Sequence, residues 1–440
     1  MARRVDSDNP VCVEVRSVRR CLVVTVVALG LATGLCLSSA GCTARRSAET
    51  RPNVRPRSGE GKSRGGNALR KAWFFRPPAV TGGPGVVWGY QERVLLLGDS
   101  EVAFPIESGD AGASAIVCLN LATSATRWMR DTGGTVLALA STGNAVVALC
   151  EAPLRVPTMH ELVILSRHSG DVTGRVALPG ATFAHLVAAR ERAWAVSHDG
   201  LTFCADTRHA SRLWTWQPPG PLTTGDATIP VDCVPLTTED GTFYLIAPGQ
   251  VFRVGMDGQG VWTAPIGPDI GCIPQLSRIA GDRLLVAGDR GIAALSRADG
   301  KLLWFRTDIR GIRQTGAMPG DDRYLAATAE QAYALSLASG ATEAVWMVPP
   351  RATSSRGAPL VAVGPYLLLL LRNDASDDWH LTGVMPDGSS LQVRDPEPFE
   401  VGLAMVQDGR ILLAFDLHEV RAYDLGPLLR MGGDARTGAP

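Results

Sequence analysis

Apolar runs of four to six residues recur along the chain, and short polar turns separate them. Four of these runs follow an arginine, at residues 93–99, 283–289, 323–329 and 410–416, and a fifth is Tyr366 followed by five leucines. The runs lack the strict apolar–polar alternation of a half-buried strand. They therefore predict strands that are covered on both faces.

A second pattern follows these runs and ends in tryptophan. The segment from Ala294 to Trp304 aligns without gaps to three others, and Ala334 to Trp346 fits with two extra residues. The three ungapped copies are Cys118 to Trp128, Cys204 to Trp214 and Phe252 to Trp262. Asp-Gly pairs at 257–258, 299–300 and 387–388 suit a tight hairpin turn, because glycine accepts a positive φ without steric cost. Weaker copies lie at 165–176 and 383–393.

The combined unit predicts four antiparallel strands and recurs every 38 to 50 residues. A four-stranded repeat of this length is one blade of a β-propeller. Eight turns are centred near residues 124, 170, 209, 258, 300, 340, 388 and 426. We therefore expect an all-β fold, an eight-bladed β-propeller of four-stranded antiparallel blades.

The last unit ends after its third strand. Residues 71–78 resemble the fourth strands of other units and precede the first unit. The N-terminal strand is therefore expected to complete the last blade and leave no open edge between the two ends. Six tryptophans take the repeat position, and we interpret them as structural contacts between blades. They are Trp73, Trp128, Trp214, Trp262, Trp304 and Trp346.

These residues resemble the signature Ala-x-Asp-x-x-Thr-Gly-x-x-x-Trp of the pyrroloquinoline-quinone-like (PQQ-like) repeat family, over about residues 71–427. That family includes quinoprotein alcohol dehydrogenases and the propeller lipoprotein of the outer-membrane barrel assembly machine. The resemblance implies a non-catalytic envelope lipoprotein that binds proteins as a scaffold, or alternatively an oxidoreductase that binds PQQ and calcium. The units are short and the chain has no adjacent cysteine pair, so we expect no enzyme activity, no catalytic residues and no cofactor.

The N-terminus has the features of an export signal. Arg16, Arg19 and Arg20 precede an uncharged run from Cys21 to Leu37. The following residues, Ser39-Ala40-Gly41-Cys42, resemble a lipobox, the motif at which bacterial lipoproteins are lipidated and cleaved. Cys42 is therefore the expected lipidation site. Plain secretion and an uncleaved membrane anchor are the alternatives. We expect a signal peptide over 1–41, a flexible Arg-rich tether over 42–70, the propeller over 71–427 and a disordered tail over 428–440. The protein is then exported and lipid-anchored at the periplasmic or cell-surface side of the envelope.

Charge and candidate ligands narrow the function further. Forty of the 43 basic residues are arginines, and residues 72–440 hold 29 basic and 38 acidic side chains, so no nucleic-acid surface is expected. The seven histidines never show zinc-type spacing, which predicts no metal site. They are His160, His168, His185, His198, His209, His380 and His418. Cys233 and Cys272 precede the first strands of adjacent blades, where they form either a disulfide or two small buried apolar positions.

Three long loops between second and third strands indicate a binding rim on a monomeric propeller. They run over Gly98 to Ser114, Glu151 to Glu161 and Arg372 to Trp379. Their side chains favour a basic or mixed envelope partner with an apolar anchor, whereas tolerated surface insertions are the other interpretation. The candidate rim residues are Glu101, Glu107, Asp110, Glu161, Asp374, Asp377, Asp378 and Trp379.

Overall fold

A computed structural model separates the chain into two units, Met1–Ser63 and Arg64–Pro440, and every residue that it describes lies in the second. The predicted signal peptide, Cys42, the tether up to residue 69 and the predicted tail lie outside the described residues. The structure describes residues 70–78, 85–86, 93–108, 114–152, 159–220, 222, 232–317, 322–348, 352–354, 361–363, 366–373, 379–384, 390–393, 404–407, 411–415 and 419–426.

The described chain is built from β-strands. It begins with β1 (Arg70–Phe75), and the following strands form sheets that we number in chain order. Sheet 1 contains β2 (Gly85–Val86), β3 (Leu95–Leu97), β4 (Glu101–Ser108), β5 (Ser114–Asn120) and β6 (Thr126–Asp131). Sheet 2 contains β7 (Thr135–Ser141), β8 (Ala145–Glu151), β9 (His160–Ser166) and β10 (Val172–Leu178). Sheet 3 contains β11 (Phe183–Ala189), β12 (Arg192–Ser197), β13 (Thr202–Asp206) and β14 (Ser211–Trp216). Sheet 4 contains β15 (Val234–Thr237), β16 (Phe243–Ala247), β17 (Gln250–Val254) and β18 (Gly260–Pro265).

The second half of the chain continues the series after a 3-10 helix, Pro274–Leu276. Sheet 5 contains β19 (Arg278–Ala280), β20 (Arg283–Ala287), β21 (Ile292–Ser296) and β22 (Leu302–Arg306). Sheet 6 contains β23 (Gln314–Ala317), β24 (Arg323–Ala327), β25 (Gln331–Ser336) and β26 (Thr342–Met347). Sheet 7 contains β27 (Ala352–Ser354), β28 (Val361–Val363), β29 (Tyr366–Asn373), β30 (Trp379–Val384) and β31 (Ser390–Val393). Sheet 8 contains β32 (Ala404–Gln407), β33 (Ile411–Phe415) and β34 (Val420–Asp424), together with β1.

Each sheet is an antiparallel meander, and the predicted all-β propeller of four-stranded antiparallel blades is confirmed. Two sheets depart from the simple pattern, because their first strand is split into two short pieces on one long second strand. In sheet 1, β3 pairs with Glu101 to Ala103 of β4 and β2 pairs with Glu107 and Ser108. Pro105 lies in the gap between the two pieces. It has no N–H to donate, so an interrupted partner strand leaves no bond unmade there.

Neighbouring sheets pack face to face through buried apolar clusters. Seven such contacts join consecutive sheets, from sheet 8 against sheet 1 through to sheet 6 against sheet 7. No buried cluster of described residues joins sheet 7 to sheet 8, so the number of blades in a closed ring remains a prediction. First strands of neighbouring sheets also contact one another, which places them on the inner side.

The N-terminal strand completes the last sheet, as the sequence predicts. β1 pairs antiparallel with β34, and Trp73 lies opposite Ala422. The side chain of Trp73 lies outside the described residues, but that of Phe75 packs in the cluster between sheets 8 and 1. Phe75 contacts Phe104 edge to face at 5.9 Å, and Phe104 contacts Phe415 in the same way at 5.6 Å. This aromatic series joins the strand to both sheets.

Four repeat tryptophans contact the next sheet. The indole N–H of Trp128 donates to the carbonyl of Arg167 at 2.8 Å, and that of Trp304 donates to the carbonyl of Leu337 at 2.9 Å. Trp214 and Trp262 donate in the same way to Met256 and Arg297. Each ring lies on a glycine of the hairpin turn between the third and fourth strands, at Gly170, Gly258, Gly300 and Gly340. Trp346 packs in the cluster between sheets 6 and 7.

The meander defines two faces of the propeller. One face, the connection face, carries the loops between second and third strands and the links from one sheet to the next. The opposite face, the turn face, carries the turns between first and second strands. It also carries the hairpin turns between third and fourth strands, whose glycines contact the tryptophans. No helix among the described residues is both long and apolar enough to cross a bilayer.

Candidate functional site

The structure divides the predicted acidic rim between the two faces. Glu101 begins β4 opposite Asn120, whereas Glu107 lies near its other end opposite Ser114. At about 3.3 Å per residue they are about 20 Å apart. The interpretation of 98–114 as one long loop is therefore wrong: β4 occupies residues 101–108 of it, and Glu101 lies at the turn face.

Arginines neutralise the rim carboxylates that the structure describes. Glu107 pairs with Arg93, and Glu161 pairs with Arg175. Glu101 lies 3.2 Å from Arg127 and 3.8 Å from Arg167, measured from guanidinium nitrogen to carboxylate oxygen. A basic partner would have to compete with these arginines. Asp110, Asp374, Asp377 and Asp378 lie outside the described residues, as does the side chain of Trp379, which begins β30.

Of the two arrangements that the sequence allows for Cys233 and Cys272, the disulfide is not formed in this structure, where both are free thiols. Cys233 packs in the cluster between sheets 3 and 4, whereas Cys272 packs against the cluster between sheets 4 and 5. The two thiols therefore lie on opposite faces of sheet 4. The alternative, two small residues in apolar surroundings, agrees with the structure.

Two histidines and an aspartate converge on the connection face, and we call His185, His198 and Asp232 the His–Asp cluster. His185 is the third residue of β11, where the register against β12 shifts between Phe183 and His185. Such an irregularity redirects a side chain. His198 directly follows β12, and Asp232 lies two residues before β15. Because β11 and β15 are first strands of neighbouring sheets that contact each other, all three residues meet near the inner edge.

The geometry of the cluster centres on one carboxylate oxygen. Asp232 Oδ1 lies 3.0 Å from His185 Nε2 and 2.9 Å from His198 Nδ1. The imidazole planes are nearly perpendicular, at 81°. The side chain of His185 is 8% exposed, that of Asp232 29% and that of His198 44%, so the cluster opens to solvent at His198.

The second carboxylate oxygen is held from the next connection. The amide of Gln275, in the 3-10 helix before sheet 5, donates to Asp232 Oδ2. Burial acts to raise the pKa of Asp232, but hydrogen bonds from His185 and His198, followed by their charges, outweigh it and hold that pKa well below its usual range. Asp232 is therefore a charged group that links the connections into sheets 4 and 5.

This arrangement can hold a cation, because the three ligand atoms lie within 4.8 Å of one another. The histidine spacing, which predicts no metal site, thus misses the convergence of His185 and His198. Their ligands are 13 and 34 residues apart along the chain, which matches no zinc motif. The only sequence signal would have been that His185 and Asp232 adjoin the first strands of adjacent blades.

Comparisons with known proteins agree with the fold. The crystal structure of BamB from Moraxella catarrhalis is similar with a TM-score of 0.56 at 13% identity, over 81% of this chain and 99% of that chain. The C-terminal WD40 domain of Sif2 is similar with a TM-score of 0.54 at 11% identity, over 81% of this chain and 98% of that one. The computationally designed Ika8 protein is similar with a TM-score of 0.52 at 12% identity, over 77% and 98%.

Comparison at the level of sequence is more specific than these structural similarities, which concern the fold alone. No curated protein matches the chain in sequence. The model of a PQQ-like repeat family, described as outer membrane protein assembly factor BamB, matches residues 112–346. The matched segment covers sheets 2 to 6 and part of sheet 1, which include five of the six repeat tryptophans and the His–Asp cluster. The chain therefore belongs to the PQQ-like repeat family of outer membrane protein assembly factor BamB.

Proposed function

We propose that the protein is a non-catalytic lipoprotein of the bacterial cell envelope, in which a closed ring of eight blades binds other envelope proteins as a scaffold. Membership of the BamB family carries this proposal, because the family description names an assembly factor of the outer membrane. The architecture agrees with such a role. A propeller commonly presents its binding residues on variable loops, which a rigid body of strands holds in place.

The alternative function, an oxidoreductase with PQQ and calcium, depends on the family resemblance alone. Calcium takes six to eight oxygen ligands in proteins, and the quinone needs apolar faces on both sides. Titration with PQQ and Ca²⁺, followed by quinone absorbance, would detect that cofactor directly. Saturable binding of one PQQ per chain would favour the oxidoreductase over the scaffold.

Anchoring is proposed to depend on Cys42. Acyl chains contribute about 0.8 kcal/mol per buried CH₂, so a multiply acylated terminus remains on the membrane. We expect Cys42→Ala to leave the signal uncleaved or to release the protein, as measured by membrane fractionation and by mass spectrometry of the mature N-terminus. Processing and membrane retention identical to the parent protein would contradict lipidation at Cys42.

Partner binding is proposed to use the connection face at sheets 7, 1 and 2. The test shortens the loops at 109–113, 153–158 and 374–378 together, and the control shortens 318–321, which joins β23 to β24 on the turn face. In vivo cross-linking followed by quantitative mass spectrometry would compare both variants with the parent. Loss of specific cross-links in the first variant alone, with an unchanged thermal unfolding midpoint, is expected. Equal cross-links in all three proteins would place the binding surface elsewhere.

A further inference from the structure

We propose that His185, His198 and Asp232 bind one divalent first-row transition-metal ion, with Zn²⁺ as the test ion. This site goes beyond the scaffold function and does not depend on it. The ligands would be Nε2 of His185, Nδ1 of His198 and Oδ1 of Asp232. They come from the first strand of sheet 3, the end of its second strand and the link into sheet 4.

The distances between the ligand atoms match those around a single ion. Zinc–nitrogen and zinc–oxygen bonds are about 2.0–2.2 Å, so two ligands of one ion lie about 3.0 Å apart when they subtend about 90° and about 3.4 Å apart at the tetrahedral angle. The separations from Asp232 Oδ1 to the two nitrogens are 3.0 and 2.9 Å. The nearly perpendicular imidazoles approach from different directions, as ligands of one ion do.

The donor set selects the class of ion. Imidazole nitrogens favour Zn²⁺, Ni²⁺, Cu²⁺ and Fe²⁺, whereas Ca²⁺ and Mg²⁺ prefer oxygen ligands throughout. Two imidazoles and one carboxylate fill three positions, and the exposed side at His198 leaves the remainder open to solvent. An ion with three protein ligands and an open position can accept a further ligand from water or from a bound partner.

Gln275 supplies the outer support that metal carboxylates usually have. Its amide donates to Asp232 Oδ2 and so directs Oδ1 towards the imidazoles. Gln275 is itself fixed, because Arg278 donates to its backbone carbonyl at 2.8 Å and to that of Ser277 at 2.7 Å. A bound ion would therefore connect sheets 3 and 4 directly and sheet 5 through Gln275.

Hydrogen bonding alone is the competing explanation, and it uses the same atoms. Without an ion, each imidazole carries a proton on the nitrogen that faces Asp232. With an ion, those two nitrogens are unprotonated and bind it. A titration with metal therefore distinguishes the two arrangements directly.

The test is isothermal titration calorimetry of the full-length chain, without a histidine tag, with Zn²⁺. One ion per chain is expected. His198→Ala and Asp232→Asn should each weaken binding by at least about 100-fold, and Gln275→Ala by about 10–100-fold. The matched control is His209→Ala: His209 Nδ1 lies 3.1 Å from Asp206 Oδ2, which reproduces a surface His–Asp pair without a third ligand. This variant should bind like the parent.

Two further measurements guard against misfolding and thiol binding. Zn²⁺ should raise the unfolding midpoint of the parent and of His209→Ala but not that of His198→Ala, whose exposed side chain is dispensable for packing. Co²⁺ should bind without an intense thiolate charge-transfer band, and Cys233→Ala should bind it equally. Absence of Zn²⁺ binding by the parent, or binding that His198→Ala leaves unchanged, would overturn the proposal.

Discussion

At the scale of single residues, the contact between a tryptophan and a glycine of the next sheet explains why both recur. The glycines at these turns have positive φ, for example +72° at Gly300, and a Cβ there would lie 2.7 Å from Trp262 Cε3. Real Cβ contacts are never so close. The turn therefore needs glycine for two reasons, its backbone conformation and the space that the indole ring occupies.

Replacing Gly300 by alanine separates these two reasons when Gly311 is the control. Gly311 has a similar φ of +66°, and a Cβ there would meet nothing within 4 Å in the described chain. Gly311→Ala should cost about 1–2 kcal/mol for the backbone alone. Gly300→Ala should cost about 1–3 kcal/mol more because it overpacks the indole. Chemical denaturation measures both, and equal losses would show that the ring does not restrict the turn.

Burial also controls the reactivity of the cysteine thiols. Desolvation is the largest cause that raises the pKa of Cys118, Cys150, Cys204, Cys233 and Cys272 to about 12. At pH 8, about four units lower, only about one thiol in 10⁴ is the reactive thiolate. Iodoacetamide should therefore modify these five cysteines only after denaturation, as measured by peptide mass spectrometry. A cross-linked peptide that contains Cys233 and Cys272 would contradict the free thiols.

At the scale of the element, the inward-facing side chain of Phe75 joins β1 to the neighbouring sheet. Phe75 contacts the fully buried Phe104, whereas Phe74 is 52% exposed on the other side of the strand. Phe75→Ala should destabilise the protein by about 2–4 kcal/mol, somewhat below the usual cost of truncating a fully buried phenylalanine. Phe74→Ala should change stability by less than about 1 kcal/mol. Thermal and chemical unfolding of both variants would test this, and similar losses would contradict the role of the Phe75 contact.

Strand identity in the repeats could be predicted from sequence, but strand position in sheet 1 could not. The Asp-Gly turn at 299–300 and the tryptophan at 304 indicate a hairpin, because the turn and its fourth strand are encoded by residues that lie close together in the sequence. The apolar run at 93–99 looks like a second strand, yet Leu95–Leu97 takes the first position because β4 supplies the second. β4 is hard to predict from the sequence because it contains Pro105, and proline usually argues against a paired strand.

The His–Asp cluster could not be predicted because no local pattern encodes it. His185 and His198 meet only through the pairing of β11 with β12, and Asp232 reaches them only because sheets 3 and 4 adjoin. A residue pair that depends on packing between sheets leaves no periodic trace in the sequence. The Trp–Gly contacts also cross between sheets, but they recur and so could be found.

At the scale of the whole molecule, the chain closes its sheets by pairing its two ends. β1 and β34 lie about 350 residues apart in sequence and form one ladder from Arg70 to Phe75. The entropy cost of closing a loop grows only with the logarithm of its length, so this long closure costs little more than a shorter one. Pairing also removes an open sheet edge, which would otherwise be a site of self-association.

Two truncations test this closure. Deleting residues 1–66 keeps β1 and should leave the unfolding midpoint of the propeller unchanged. Deleting 1–80 removes β1, so the edge of β34 loses its partner and the aromatic contact of Phe104 with Phe75 is lost. We expect a lower unfolding midpoint, and sedimentation velocity should show self-association through the free edge. A synthetic peptide of residues 67–80 should restore the midpoint of the shorter chain by adding the missing strand. Equal midpoints for the two truncations, or no effect of the peptide, would refute closure by the N-terminal strand.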